Sequence, residues 1–238
     1  IVIVGGSYGG LNCATQLAKQ ARRLNLDITL VEPRKCFHHA LGYLRAAVDA
    51  HVAEQCFIPV DNLPCIRDGT VKRLHARVTA VHAEMVMLDD VDGTKLPYDY
   101  LVMATGATDS TPMGLDVAEK EEALRRMKNA RDAICAAQRI LVVGGGPLGI
   151  ELASEINEAY PKKQVTLVTS APRLAAKPDA ISPKLSAKVF TKLEAMGTHV
   201  ILGQRMPLTE AELAAGWVTG DRSWSLPNGE QVRVDLMV

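Results

Sequence analysis

Two glycine-rich turns in this sequence have the residue types and spacing of sites that bind phosphate groups. Each turn follows a short apolar run, Ile1–Val4 in one case and Ile140–Val143 in the other. Glycines between a strand and a helix let a pyrophosphate approach the backbone and rest at the helix N-terminus, where free N–H groups favour negative charge. The turns are Gly5-Gly6-Ser7-Tyr8-Gly9-Gly10 and Gly144-Gly145-Gly146-Pro147-Leu148-Gly149.

The two turns differ at their middle glycine. The second turn matches the pattern G-x-G-x-x-G at all three positions, whereas the first has Ser7 in the middle. One such match is weak, but two matches in the same strand–turn–helix setting favour two dinucleotide sites over two ordinary tight turns.

An acidic residue follows the second predicted strand of the first half. Glu32 comes directly after Val31 and lies 22 residues beyond Gly10. A carboxylate at this point of a dinucleotide-binding unit accepts hydrogen bonds from the ribose hydroxyls of the adenosine. The alternative is a solvated charge at a strand end.

The corresponding position of the second half has no carboxylate. Thr169 and Ser170 stand there, with Arg173 close by. Without a carboxylate nothing repels a 2′-phosphate, and Arg173 is able to pair with one. We therefore predict that the second site tolerates NADPH as well as NADH, the alternative being that Arg173 is merely exposed.

The elements that position these residues occur twice. Gly5 and Gly144 are 139 residues apart, Val31 and Val168 are 137 apart, and Asp99 and Asp235 are 136 apart. A nearly constant offset across three landmarks predicts two copies of one unit, each a βαβ motif followed by a β-meander.

The predicted fold class is therefore α/β, with two Rossmann-like dinucleotide-binding domains. The first domain covers residues 1–110 and the second 111–238, with a boundary in the Ser-, Thr- and Pro-rich stretch Thr108–Asp116. Apolar spacing predicts helices from about Ala118 to Gln138 and from Pro183 to Met196, and short apolar runs predict a meander over residues 71–103.

Both ends of the chain interrupt a predicted element. Ile1 lies inside a predicted strand, and Val238 comes just before the second copy's equivalent of Ala104-Thr105-Gly106. We expect further sequence beyond both ends, including a C-terminal part and any targeting or lipidation signal.

Composition limits the partners. There are 27 basic and 27 acidic side chains, so the net charge is zero, which argues against nucleic acid as the main partner. No apolar run reaches the roughly 18 residues of a membrane-spanning helix. The five cysteines show neither CxxC nor CxxxxC spacing, which argues against a zinc cluster or a disulfide framework and fits a reducing, intracellular setting.

Four segments together resemble a known family of flavoproteins. Val4–Leu11, Leu30–Glu32, Tyr98–Gly106 and Val142–Glu155 resemble the pyridine nucleotide-disulfide oxidoreductases, which place FAD on the first repeat and NADH or NADPH on the second. The segment Phe37–Ala47 is similar to the branch of apoptosis-inducing-factor-like and ferroptosis-suppressor quinone reductases, relatives of type II NADH dehydrogenases.

The resemblance implies roles for particular residues. The first glycine turn would hold the FAD pyrophosphate and Glu32 its ribose, while Val78 would meet the adenine through its backbone. The second turn would hold the nicotinamide dinucleotide, and Glu151 would lie near the nicotinamide and the flavin, the alternative being a helix N-terminal glutamate. The remaining residues are Pro33, Arg34 and Lys35 at the edge of the adenosine, and Ala104, Thr105 and Gly106 touching the flavin.

The family resemblance and the cysteines together predict the reaction. Disulfide reductases of this family need two cysteines beside the flavin, and after Glu32 only Cys36 is near. We therefore expect electrons to pass directly from the flavin to a quinone or a similar small acceptor. The alternatives are a redox sensor that responds to dinucleotide occupancy and, less favoured, a disulfide reductase.

Two further expectations concern the packing of a histidine pair and the location of the protein in the cell. His38 and His39 are adjacent and therefore do not share a face, so we expect them to pack near the flavin and not to bind metal. We expect an intracellular protein, cytoplasmic or mitochondrial, and leave peripheral membrane association open.

Overall fold

The computed structural model describes residues 1–90, 92–107, 114, 117–176 and 181–238. These residues divide into two compact units. One comprises residues 1–40, 55–90, 92–107 and 117–123, and the other comprises 41–54, 114, 124–176 and 181–238. The predicted domain boundary at residues 110 and 111 lies outside the described residues, so the division at that point stays a prediction.

Short strands build the first unit. The central sheet is parallel, in the order β5-β2-β1-β9, while β6, β7 and β8 form a separate antiparallel meander and β3 pairs with β4. The strands are β1 (Val2–Val4), β2 (Ile28–Val31), β3 (Cys36–His38), β4 (Phe57–Pro59), β5 (Val71–Leu74), β6 (Val78–Val81), β7 (Met85–Leu88), β8 (Lys95–Pro97) and β9 (Leu101–Met103).

The predicted meander over residues 71–103 is too long at both ends. Val71 pairs with Ile28 in the parallel sheet and is 1% exposed, and Leu101 pairs with Val2 in the same sheet. Short apolar runs suit both kinds of sheet, and only the pairing partner, which lies far away in sequence, decides between them.

A five-stranded sheet forms the second unit, in the order β12-β11-β10-β14-β13. Its first four strands repeat the order of the first sheet, and this confirms the predicted α/β class. The strands are β10 (Arg139–Val143), β11 (Gln164–Val168), β12 (Thr198–Ile201), β13 (Val218–Ser225) and β14 (Gln231–Met237).

The two copies differ in their last part. In the second unit, the antiparallel hairpin of β13 and β14 continues the main sheet instead of forming a separate meander. The predicted turn at Asn228-Gly229 joins these strands, with Gly229 in the left-handed region at φ 85°. The prediction that both copies end in the same separate meander was therefore wrong. In the second copy, one long strand, β14, replaces the two short strands β8 and β9.

The helices cover the sheets with narrow apolar faces. Ala14 of the first helix and Leu152 and Ile156 of the helix after the second turn are buried. The structure places the two helices predicted at 118–138 and 183–196 at Lys120–Ala136 and Pro183–Ala195. The helices are α1 (Tyr8–Ala18), α2 (Ala21–Leu24), α3 (Tyr43–Ala46), α4 (Ala50–Gln55), α5 (Pro64–Arg67), α6 (Lys120–Ala136), α7 (Pro147–Ala159), α8 (Pro183–Ala195) and α9 (Glu210–Ala215), with 3-10 turns at Ala40–Gly42 and Val60–Asn62.

The central strands of both units are buried on both faces, as parallel strands covered by helices require. Ile3 and Leu30 are fully buried in the first unit, and Leu141 and Leu167 are fully buried in the second. Within the described residues, no helix is long and apolar enough to cross a bilayer.

Candidate dinucleotide-binding sites

The first glycine turn connects β1 to α1, with Ser7 at the N-cap of the helix. Gly5 has φ 104°, and a Cβ there would lie 2.2 Å from the carbonyl oxygen of Ala104. A Cβ on Gly10 would lie 1.8 Å from the carbonyl oxygen of Gly5. Glycine is therefore required at both positions by backbone packing, which closes the turn beneath the helix N-terminus.

Glu32 closes the same turn from the neighbouring strand. Its Oε2 accepts a hydrogen bond from the Gly6 N–H at 2.5 Å, and its Oε1 accepts one from the Arg34 N–H at 2.8 Å. The residue is 5% exposed, so the alternative of a solvated strand-end charge is wrong. A carboxylate has about four acceptor sites, so it retains capacity for two ribose hydroxyls.

The remaining predicted residues of the first site lie around this point. Ala104 follows β9 and donates its N–H to the Val4 carbonyl, so residues 104–106 leave the sheet beside the glycine turn. Val78 packs against the apolar cluster that includes Val4 and Val31. Among the residues after Glu32, Pro33 and Arg34 are half-buried, whereas Lys35 is exposed and pairs with Glu119 at 3.0 Å.

Tyr8, Phe37 and His39 form a group of rings beside the first turn. The ring of Tyr8 meets Phe37 edge to face at 5.0 Å, and its hydroxyl lies 2.8 Å from His39 Nδ1. His38 is 4% exposed, and burial, with the nearby charge of Arg34, lowers its pKa to about 4. The imidazole of His38 is therefore neutral near neutral pH.

The second glycine turn repeats the first in detail. Gly144 has φ 121°, and a Cβ on Gly149 would lie 2.0 Å from the Gly144 carbonyl oxygen. A Cβ on Gly145 would lie 2.9 Å from the Thr169 side chain, just as one on Gly6 would meet Glu32 at 2.7 Å. Thr169 therefore occupies the structural position of Glu32 with an uncharged side chain.

Open space lies above the middle of the second turn. A Cβ on Gly146 would have no neighbouring atom within 4 Å, and Gly146 is exposed at the N-cap of α7. A cavity of about 600 Å³ extends from here, within the size range of small-molecule sites. It is lined by Leu44, residues 142–149, Leu152, Thr169, Ala171, Ala175, Ala176, Trp217 and Val238.

The three residues predicted to govern NADPH tolerance are separated by the structure. Thr169 lines the cavity, whereas Ser170 is exposed and Arg173 is half-buried, and neither is among the lining residues. Arg173 donates a hydrogen bond to the Ile181 carbonyl at 3.2 Å. Thr169 thus faces the candidate site directly, and Arg173 is held by the backbone.

Glu151 lies on the exposed side of α7, outside the cavity lining. Partial burial and the nearby charge of Glu155 raise its pKa, while Arg45 opposes them. Arg45 Nε and Nη2 donate to one oxygen of Glu155 at 3.0 and 2.9 Å. The predicted catalytic role of Glu151 stays a prediction.

Several lining residues had no signal in the sequence. Leu44 belongs to α3, about a hundred residues before the second turn, yet it forms part of the cavity wall. Trp217, just before β13, and Val238, just after β14, lie side by side at the open end of the hairpin. Such residues have ordinary apolar types, and only the folded chain brings them to the turn.

The arrangement fits both dinucleotides. Both turns lie at the carboxyl end of parallel strands, where such ligands bind, and at the second turn the N-terminus of α7 faces a cavity. The described part of the chain contains no group of three His, Cys, Asp or Glu side chains placed to hold a metal. All five cysteines are free thiols, with Cys56 and Cys65 buried.

Comparison with known proteins agrees with the fold. The chain is 29% identical over its whole length to apoptosis-inducing factor homolog B of Dictyostelium discoideum, covering 62% of that protein. It is 33% identical over 87% of its length to human ferroptosis suppressor protein 1, covering 52% of it. The chain thus spans about half to three fifths of the curated relatives it matches.

Solved structures show the same architecture. A NAD-dependent persulfide reductase from A. fulgidus superimposes with a TM-score of 0.72 at 19% identity, over 100% of this chain and 44% of that one. The predicted resemblance and the predicted cofactor types, FAD and NADH or NADPH, are those of the matching family. The model of that family matches residues 1–238, and the chain belongs to the pyridine nucleotide-disulphide oxidoreductase family.

Proposed function

We propose that this protein oxidises NADH or NADPH with FAD and reduces a quinone-like acceptor. The observation that carries the proposal is the repeated turn. The same backbone geometry occurs at Gly5–Gly10 and at Gly144–Gly149, with a buried carboxylate facing the first and Thr169 facing the second.

The first turn is suited to hold FAD. Its glycines let the pyrophosphate approach the N-terminus of α1, and Glu32, already fixed by two backbone N–H groups, accepts the ribose hydroxyls. FAD held at this turn would supply the redox chemistry that links hydride donation by the nicotinamide to reduction of the acceptor. Residues 104–106 leave the sheet beside this turn and would contact the flavin.

The second turn is suited to hold the nicotinamide dinucleotide. Gly144, Gly146 and Gly149 leave the backbone open to the pyrophosphate, and the cavity above them has largely apolar walls. Thr169 is able to accept or donate a hydrogen bond but carries no charge to repel a 2′-phosphate. Glu151, on the first turns of α7, would orient the nicotinamide or hold a proton near it.

The quinone acceptor is supported by the relatives and by the cysteines. Ferroptosis suppressor protein 1 is similar over most of this chain. Within the first unit, Cys36 lies on β3 and Cys13 on α1, and each is half-buried as a free thiol. Neither has a second cysteine beside it in sequence, so a direct transfer from flavin to acceptor is the simpler mechanism.

The proposal is tested first by the visible absorption spectrum of the purified protein and then by its steady-state turnover with a quinone. The purified protein should show flavin absorption, and NADH or NADPH should bleach it under anaerobic conditions. Adding a water-soluble quinone should restore the absorption and support steady-state turnover. Absence of flavin after reconstitution, or reduction without reoxidation by any quinone, contradicts the proposal, and reoxidation by a disulfide instead would identify a different acceptor.

A further inference from the structure

Trp217 is a large aromatic side chain in the wall of the cavity beside the second glycine turn. It is half-buried and shares the cavity with the glycine turn, Thr169, Leu44 and Val238. The other tryptophan of the chain, Trp224, packs against the apolar cluster on the sheet and does not line the cavity.

The strand order places Trp217 at one end of the cavity. Parallel strands β11, β10 and β14 end at the same edge of the sheet, and they are followed by Thr169, the glycine turn and Val238 respectively. Val218 pairs with Met237 across the hairpin, so Trp217 lies beside Val238. Thr169 and Trp217 are therefore on opposite sides of the turn.

A bound dinucleotide has a matching order of parts. The pyrophosphate rests at the turn after the first strand, and the adenosine ribose lies at the end of the second strand, which here is β11. The nicotinamide half must then extend in the other direction, across β14. We infer that the indole of Trp217 packs against the nicotinamide half of NAD(P)⁺ or NAD(P)H; this rests on the proposed function.

The chemistry of the ring suits this contact. The oxidised nicotinamide is a planar cation, and the face of tryptophan is the most favourable aromatic surface for a cation. Stacking of a planar base on an aromatic side chain changes affinity by about tenfold or more. Leu44 and Val238 supply the apolar remainder of the wall.

Fluorescence tests the contact without turnover, using two variants that each retain one tryptophan. Trp224→Phe leaves Trp217 as the reporter, and Trp217→Phe leaves Trp224. The ligand is NAD⁺, which does not reduce the flavin and does not absorb where tryptophan emits, so quenching requires proximity. We expect NAD⁺ to quench the Trp224→Phe protein and to leave the Trp217→Phe protein nearly unchanged.

Calorimetry with two ligands then locates the contact. ADP-ribose contains the adenosine and the pyrophosphate but lacks the nicotinamide ring. Trp217→Ala should raise the Kd for NAD⁺ by about tenfold and change that for ADP-ribose by less than about twofold. Trp217→Phe should keep most of the affinity, and Trp224→Phe should keep the affinity for both ligands.

The outcomes separate this inference from the proposed function. If Trp217→Ala leaves both affinities unchanged, or weakens both equally, then Trp217 does not contact the nicotinamide and the inference is wrong, while the second turn remains a dinucleotide site. If the parent protein binds neither NAD⁺ nor ADP-ribose, both the inference and the proposed function are wrong.

Discussion

Glu32 is a buried carboxylate that links the first turn to the neighbouring strand. Its two oxygens accept hydrogen bonds from the Gly6 and Arg34 N–H groups, so its charge is compensated by backbone donors before any ligand binds. A buried carboxylate that is fixed in this way loses little conformational freedom on binding a ribose. The charge of a single residue thus acts on both the turn and the ligand.

We expect Glu32→Gln to lower FAD occupancy. The amide has the same shape but must turn an NH₂ group toward one of the two backbone donors, which leaves a buried donor unsatisfied. The Kd for FAD should rise by about tenfold or more, measured by flavin content after dilution and by titration of the apoprotein. Exposed Glu84→Gln is the control, and equal flavin retention in both variants contradicts the assignment.

Thr169 decides the charge at the corresponding position of the second site. Because it carries none, we expect kcat/KM for NADPH to be within about tenfold of that for NADH, a difference of ~1.4 kcal/mol. Thr169→Glu should shift the preference toward NADH, since a like-charge clash with the 2′-phosphate costs several kcal/mol. Exposed Thr191→Glu on α8 controls for the added charge, and a parent preference for NADH above about a hundredfold contradicts this interpretation.

In both strand–turn–helix units, the glycines that the fold requires are distinct from the middle position of the turn, which is Ser7 in the first unit and Gly146 in the second. Gly5, Gly10, Gly144 and Gly149 allow close backbone packing or a left-handed φ. Gly146 has φ −79°, and nothing in the fold occupies its surroundings. Ser7, which stands at the position of Gly146 in the first turn, shows that this backbone accepts a side chain.

We therefore predict that two alanine substitutions in the second turn affect different properties, one the stability of the fold and the other the binding of NAD⁺. Gly149→Ala forces a Cβ against the Gly144 carbonyl and should lower Tm by about 4–8 °C, corresponding to ~2 kcal/mol. Gly146→Ala should change stability by less than about 1 kcal/mol but weaken NAD⁺ binding, because the methyl group enters the ligand space. Calorimetric Tm and NAD⁺ titration check both, and equal destabilisation by the two variants contradicts the distinction.

Asp235 connects β14 to the start of β10. It accepts hydrogen bonds from the Gln138 and Arg139 N–H groups and pairs with the Arg139 guanidinium, and these contacts lower its pKa from 3.8 to about 2. A lowered pKa in the folded state means that the stabilisation is present above the unfolded value and is lost as the pH falls through the folded one.

We expect Asp235→Asn to lower stability at neutral pH. The difference from the parent should shrink as the pH falls from 3.8 toward about 2, because the parent's own carboxylate is then protonated. Denaturant unfolding at several pH values measures this. Asp99→Asn, the exposed equivalent in the first copy, is the control, and a difference that does not depend on pH would contradict the assigned role.

In the molecule as a whole, the duplication gives two units whose sheets share the same order of four strands but whose turns face different side chains. The first has a charged side chain, Glu32, facing its turn, and the second has an uncharged one, Thr169, beside a cavity. The five cysteines are distributed over both units, and all are free thiols. The proposed transfer therefore uses no residue that must change its covalent state.

Replacement of all five cysteines should leave NAD(P)H:quinone activity largely intact. Buried Cys56 and Cys65 are best replaced by Ala and the others by Ser, to preserve packing and polarity. Turnover per bound flavin is the measurement, because it separates loss of folding from loss of chemistry. A selective loss of turnover on replacing one cysteine, with FAD still bound, overturns the direct mechanism.

The two glycine turns, the acidic residue after β2 and the repeat that relates them could all be predicted from the sequence. These features follow from local requirements, since a strand, a tight turn and a helix N-terminus each demand particular residues at fixed spacing. The tertiary structure decided which strands Val71 and Leu101 join, that β14 continues the main sheet, and that Arg173 is held by the Ile181 carbonyl.

The cavity-lining residues outside the glycine turn and the end of β11 could be found only from the tertiary structure. Leu44 comes from a short helix far away in sequence, and Trp217 reaches the turn through the pairing of β13 with β14. Apolar residues of this kind serve equally well in a core or in a ligand site. Their role depends on which distant segment packs beside them, and this cannot be predicted from the local sequence pattern.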